Sequence, residues 1–170
     1  LSYVYFVPTF IIERNIFNIT KIIFSLNSRN YLFKEHYLNL QDIIFSCFHF
    51  LRIKKYIKKF KPYHNWDLSD LICEEITSSK NYPSKVGGIL NYRFAKNLHD
   101  NEIQIKKTIN WFENQNLDKG WNLGFSRYYK DAESVGYQGF TYLPDCMHTH
   151  PANYEFKAEI IPKKIIVIGN

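Results

Sequence analysis

Glu113 is the charged residue best placed for chemistry. It follows the run Thr108-Ile109-Asn110-Trp111-Phe112 and precedes Asn114 and Gln115. A carboxylate at a strand end beside two large aromatic rings is desolvated, which raises its pKa toward a value useful to a general base. A structural role is the alternative: Glu113 accepts hydrogen bonds from backbone or from Arg127 and holds the segment around Trp121. Asn114, Gln115 and Gln138 each offer donors and acceptors, the mixture that sugar hydroxyls require, although amides also bridge neighbouring turns. Among the aromatics, Trp111 and Phe112 read as core, whereas Trp121 and Tyr137 stay open as flat faces for a sugar ring or a base. Asn122 and Arg127 complete the candidate substrate contacts near Glu113.

A second constellation is His148-Thr149-His150, preceded by Asp145 and Cys146. Imidazole, thiolate and carboxylate are all first-row metal ligands. Pro151 follows directly, however, and the wider paired spacing of structural zinc sites is missing. No metal is expected, and His148 and His150 are retained as contacts of a substrate loop, with a plain polar loop as the alternative.

These residues need elements to hold them at one place. An apolar run ending in Glu-Asn-Gln predicts a strand within Ile103 to Phe112; a helix from about Lys119 to Tyr129 and a strand at Glu133 to Tyr137 follow. A parallel β-α-β unit of this kind brings Glu113 and the Gln138-Gly139 loop to the same sheet edge. In open α/β sheets ligands sit at that edge.

Four motifs carry a family resemblance: Trp111-Phe112-Glu113-Asn114-Gln115, Trp121-Asn122-Leu123-Gly124-Phe125, Gly136-Tyr137-Gln138-Gly139-Phe140, and the closing Ile161-Pro162 with Ile165-Ile166-Val167-Ile168-Gly169. In order and spacing they resemble bacterial surface carbohydrate biosynthesis proteins of O-antigen and capsule loci, from about Ile109 to Asn170. The resemblance implies an α/β, Rossmann-like three-layer sandwich, the N-terminal lobe of a two-lobed GT-B-like glycosyltransferase. It further implies a nucleotide-sugar donor and a growing, lipid-linked glycan as acceptor. The expected organisation is an acceptor-side lobe over residues 1–160, with residues 161–170 as the first strand of a nucleotide-sugar lobe that lies beyond this chain. Residues 1–170 alone are then expected to be inactive.

The remaining features bound the choice. The chain has 170 residues, 45% hydrophobic and 18% aromatic, enough for a real core and unlike a disordered segment. Cys47, Cys73 and Cys146 are odd in number and far apart, which favours neither a disulfide framework nor a cysteine zinc site. The apolar N-terminus is interrupted by Glu13, Arg14 and Lys21, too early for a spanning helix. A cytoplasmic protein is expected. No dinucleotide fingerprint, phosphate loop or nucleophile elbow is present, and no cofactor is expected.

The formal charge of +6 suits anionic partners, but it is concentrated in Arg52, Lys54, Lys55, Lys58, Lys59 and Lys61. These fall at the end of a helix expected over residues 40 to 60, with Leu40, Ile43, Ile44, Cys47, Phe48, Leu51 and Ile57 on one stripe and Asp42 near its start. That charge order complements the helix dipole, and the cluster also suits peripheral contact with an inner membrane. Further upstream, a strand is expected within Leu1 to Ile12 and a helix over Ile16 to Leu26. Downstream, a helix at Asp67 to Ser79, a turn at Asn81 to Ser84 and a helix from Val86 to Leu98 complete the reading. Two other functions remain open: a non-catalytic glycan-binding or scaffold protein, and a basic nucleic-acid-binding domain. The second is disfavoured because the charge sits on one helix without an interleaved aromatic surface.

Overall fold

A computed structural model describes residues 5–7, 17, 21, 24, 32–57, 64–77, 82–139 and 150–168. The chain divides into two compact units, Leu1–Asn39 and Leu40–Asn170. In the first unit the Leu32 N–H donates to the Phe6 carbonyl at 2.9 Å, and helix α1 spans Lys34–Tyr37. Phe17, Lys21 and Phe24 are helical and exposed. Most of the strand expected within residues 1–12, and most of the helix expected over 16–26, lie outside the described residues.

The second unit runs α2 (Leu40–Cys47), α3 (His49–Ile57), α4 (Ser69–Thr77), α5 (Tyr82–Asp100), β1 (Lys107–Trp111), α6 (Asn116–Tyr128), β2 (Glu133–Gln138), α7 (Asn153–Lys157) and β3 (Lys164–Val167). The three strands form one parallel sheet in the order β1-β2-β3. This is a mixed α/β unit with a parallel sheet. The boundary expected between residues 160 and 161 is not where the structure divides, because β3 pairs directly with β2 and belongs to the same sheet.

Helix α6 lies against β1 and β2, and α5 packs on α6. Backbone contact between the two helices requires glycine. A Cβ on Gly120 would lie 1.8 Å from the Gly88 carbonyl oxygen, and one on Gly88 would lie 2.4 Å from that of Asn116. Gly87 and Gly88 thus serve the close approach of the two helices. Around this crossing Phe94, Ala95 and Leu98 of α5 are fully buried, and Trp121 stands 6.2 Å from Phe94 and 4.5 Å from Phe125 between ring centroids. The α5 helix begins earlier than expected, at Tyr82 rather than Val86. Pro83 does not end a turn there; it occupies the first helical turn, where its missing N–H costs nothing. At the start of α4 the Ser69 N–H donates to Asp67 Oδ1 at 2.9 Å, which satisfies one of the free N–H groups of that helix end.

The helix expected over residues 40 to 60 differs in two ways. It breaks at Phe48 into α2 and α3, and its buried face is polar: Asp42, Ser46 and His49 turn inward. Leu40, Ile43, Ile44, Phe48 and Leu51 face outward, Leu40 at 70% exposure. Partners on α5 explain the inversion. Asp42 pairs with Arg93 at 2.5 Å and accepts from Asn97 Nδ2 at 2.7 Å. His49 Nδ1 donates to the Ser46 carbonyl at 2.9 Å, its ring stacks 5.4 Å from Tyr82, and the Tyr82 hydroxyl donates to the Cys47 carbonyl at 2.6 Å. Asp42 thus lies in the first turn of α2, where its charge suits the helix dipole, and is also the buried half of an ion pair with Arg93. Lys58, Lys59 and Lys61 lie outside the described residues.

Candidate functional site

The period-two alternation of β1 decides which of its side chains can meet a ligand. Thr108 and Phe112 point to the covered face and are buried, whereas Ile109 and Trp111 point to the other face. Trp111 is 52% exposed and Trp121 is packed between α5 and α6. The expectation that Trp111 belongs to the core is therefore corrected, while Phe112 is core as expected. Tyr137, opposite Trp111 in register, is also exposed, and the two rings meet edge to face with centroids 5.6 Å apart.

Glu113 continues from Trp111 at the C-terminal edge of the sheet. Trp111 Nε1 donates to Glu113 Oε1 at 2.7 Å, and Gln115 Nε2 donates to Oε2 at 2.6 Å. Arg127 is not its partner: it is exposed in the last turn of α6, whereas Glu113 precedes the first. The Glu113 N–H and the Gln115 N–H both donate to Asp118 Oδ2, at 2.9 and 3.0 Å. Asp118 at the third helical position thereby closes the N-terminus of α6, where a negative charge also suits the dipole. Burial pushes the Asp118 carboxyl above the usual range and the nearby Glu113 charge adds to it, against the pull of the two N–H bonds and Lys119.

Asn114 is buried and left-handed, with φ 58°, a conformation asparagine tolerates better than most residues. Its Nδ2 donates to Glu155 Oε2 at 3.2 Å. Glu155, itself buried, also accepts from the Ala152 N–H at 2.8 Å and pairs with Lys119 at 2.7 Å. Burial would raise the Glu155 pKa, but Lys119, Ala152 and Asn114 outweigh it and hold the carboxylate below its ordinary range. This network fixes the loop that carries Glu113 to both α6 and α7.

The structure thus gathers Trp111, Glu113, Gln115 and Tyr137 on one open surface at the strand ends. Gly139 lies beneath it: a Cβ there would stand 2.1 Å from the Trp111 ring. Gln138 ends β2 at the same edge but is buried with Phe112 on the covered side. Asn122 and Trp121 are not part of this group; Asn122 is buried against the sheet farther along α6. His150 is exposed, and His148 lies outside the described residues. Among the described residues no group of three or more His, Cys, Asp and Glu side chains is arranged to share a metal ion. Sequence reasoning missed Asp118, Lys119 and Glu155. For Asp118 the signal was available, an acid three positions after the residue that opens a helix.

Chemically, the surface combines two aromatic rings with a carboxylate and an amide held at fixed positions. A pyranose presents an apolar C–H face and a rim of hydroxyls, and meets both. No protein-family model, curated protein or solved structure matches the chain.

Proposed function

We propose that the chain binds glycan at the C-terminal edge of its sheet, as the acceptor-side, Rossmann-like lobe of a GT-B-like glycosyltransferase in O-antigen or capsule biosynthesis. The observation that carries this reading is the exposed Trp111 ring whose indole N–H fixes the Glu113 carboxylate. Trp111 and Tyr137 offer stacking faces, and Glu113 and Gln115 offer the hydrogen-bonding groups beside them. In the transfer, Glu113 takes the proton of the attacking acceptor hydroxyl as the new C–O bond forms and the nucleoside diphosphate leaves the donor sugar.

A lipid-linked acceptor requires proximity to a membrane, and the reading includes peripheral contact with the inner face of the inner membrane. The exposed apolar stripe of α2 and α3, followed in sequence by the Arg52 to Lys61 cluster, supports it. Among the described residues no helix is long and apolar enough to cross a membrane. The second reading, a glycan-binding module without turnover, is favoured by one feature: both Glu113 oxygens already accept a hydrogen bond.

Tryptophan fluorescence with O-antigen or capsule oligosaccharides tests the shared element. Saturable binding should be lost in Trp111→Ala, and binding indifferent to that change would sink both readings. Glu113→Gln then separates them. In the full-length protein with a nucleotide-sugar donor, a loss of turnover of roughly 10²–10⁴-fold at retained acceptor affinity marks a general base. Unchanged turnover removes Glu113 from catalysis, and no turnover in either form leaves the binding module.

A further inference from the structure

The charge of the surface at the strand ends runs against that of the chain. The protein carries a formal +6, yet the charged groups beside Trp111 are the carboxylates of Glu113 and Asp118. Glu113 is half-buried, and its two oxygens accept from neutral donors, Trp111 Nε1 at 2.7 Å and Gln115 Nε2 at 2.6 Å. Such bonds hold the charge in place without cancelling it. Among the described residues no cation forms an ion pair with Glu113. Lys119 is held by Glu155 at 2.7 Å, and Lys107, at the far end of β1, pairs with Glu133 at 3.0 Å. Lys164 stands opposite Val135, two residues back from Tyr137, which is about 7 Å along the strand.

The helix end beside this surface gives an anion no better reception. A helix N-terminus at the C-terminal edge of a parallel sheet commonly seats a phosphate, because free N–H groups and the dipole favour negative charge there. At α6 the N–H groups of Glu113 and Gln115 both donate to Asp118 Oδ2, at 2.9 and 3.0 Å. An incoming anion meets donors already in use and two carboxyl groups. A sugar hydroxyl meets no such penalty, since it both donates to a carboxylate and accepts from an amide.

We infer that this surface selects by charge: it takes neutral glycan and turns away acidic sugars and the diphosphate of a sugar donor, with Glu113 as the discriminating residue. The inference rests on the glycan reading of the Trp111 and Tyr137 surface and adds to it the class of sugar. Specificity of this kind comes from repulsion of the wrong ligand rather than from extra contacts with the right one. The diphosphate of the donor then needs a seat other than the start of α6.

The test is a ¹H–¹⁵N NMR titration of the chain at low salt with methyl glucoside, methyl glucuronide and pyrophosphate. The signals read are the Trp111 indole N–H and the backbone amides of Glu113 and Gln115. The glucoside should shift them saturably. The glucuronide, which carries a carboxylate at C6, should bind roughly fivefold more weakly, as like charges about 4 Å apart in water require. That ratio should fall below about twofold in Glu113→Gln, and also in the parent chain at roughly 1 M sodium chloride, where screening reaches within about 3 Å. If Glu113→Gln does not fold, the salt series carries the comparison. Pyrophosphate should give no saturable shift of the three signals. Equal affinity for the two glycosides, or tighter binding of the glucuronide, overturns the inference and leaves the glycan reading in place. Saturation by pyrophosphate has the same consequence. A ratio unchanged both in folded Glu113→Gln and at high salt refutes selection by charge. No saturable shift with the glucoside up to roughly 100 mM, where a millimolar site is filled, also overturns the inference; the glycan reading is then decided by its own oligosaccharide titration.

Discussion

Glu155 has a cation, a backbone N–H and a side-chain amide as partners, and the sign of its pKa shift makes a test of that arrangement. A carboxyl whose folded-state pKa is depressed stabilises the fold above its unfolded value and loses that contribution as pH falls through the folded one. Glu155→Gln should therefore cost about 3 kcal/mol near neutrality, the penalty of breaking a largely buried pair. The gap to the parent chain should close as pH drops below the ordinary value of 4.5. Scanning calorimetry across that range checks it, and a gap independent of pH would assign Glu155 a role in shape alone. Asp118 carries the opposite sign. Its folded-state pKa is raised, so its contribution is fully present below the unfolded pKa and is lost as pH rises through the folded one. Asp118→Asn should accordingly gain stability relative to the parent as pH rises, measured in the same series. The strand ends that carry Glu113, Asn114, Gln115 and Tyr137 were legible because an apolar run ending in polar groups marks one. The two tryptophans were not. Aromatic content is the same for both, and only the period of the strand and the neighbours on α5 put Trp111 outside and Trp121 inside.

Local signals were sufficient for most elements. Periodicity and strand-end polarity placed α4 to α6 and β1 to β3 within a few residues of where they lie. What they did not carry was the direction each face takes. An apolar stripe at helical spacing reads as core, yet α2 buries Asp42 because Arg93 and Asn97 wait on α5. Those partners are distant in sequence, and no single-helix pattern reports them. The α5–α6 crossing shows the same dependence. A Cβ at Gly120 would overlap the Gly88 carbonyl at 1.8 Å, backbone against backbone, with no flexible side chain to yield. Gly120→Ala should separate the two helices and destabilise the chain by roughly 2–4 kcal/mol, despite the better helix propensity of alanine. Urea unfolding measures this, and a neutral or stabilised variant would show that the crossing adapts.

For the molecule as a whole, the uneven charge is the property with most reach. Lys54, Lys55, Lys58 and Lys59 to Gln should reduce sedimentation with anionic vesicles in a salt-sensitive way, each lysine contributing about 1 kcal/mol at best. Equal sedimentation of parent and variant at unchanged helicity would return the cluster to a solvated helix end. The apolar stripe from Leu40 to Leu51, which precedes that charge in sequence, answers to different conditions. Ordinary salt shortens the reach of the lysines, to about 8 Å at physiological strength. Sulfate strengthens association between apolar surfaces. The apolar stripe and the lysines that follow it in sequence thus answer salt in opposite ways. On the proposed membrane contact, anionic lipid in dilute buffer should cover the stripe, whereas concentrated sulfate without lipid should favour contact between apolar surfaces. The colloidal behaviour of the protein then becomes a readout of its inverted helix. Lipid or mild detergent should keep it dispersed under the conditions in which precipitating salts draw it together.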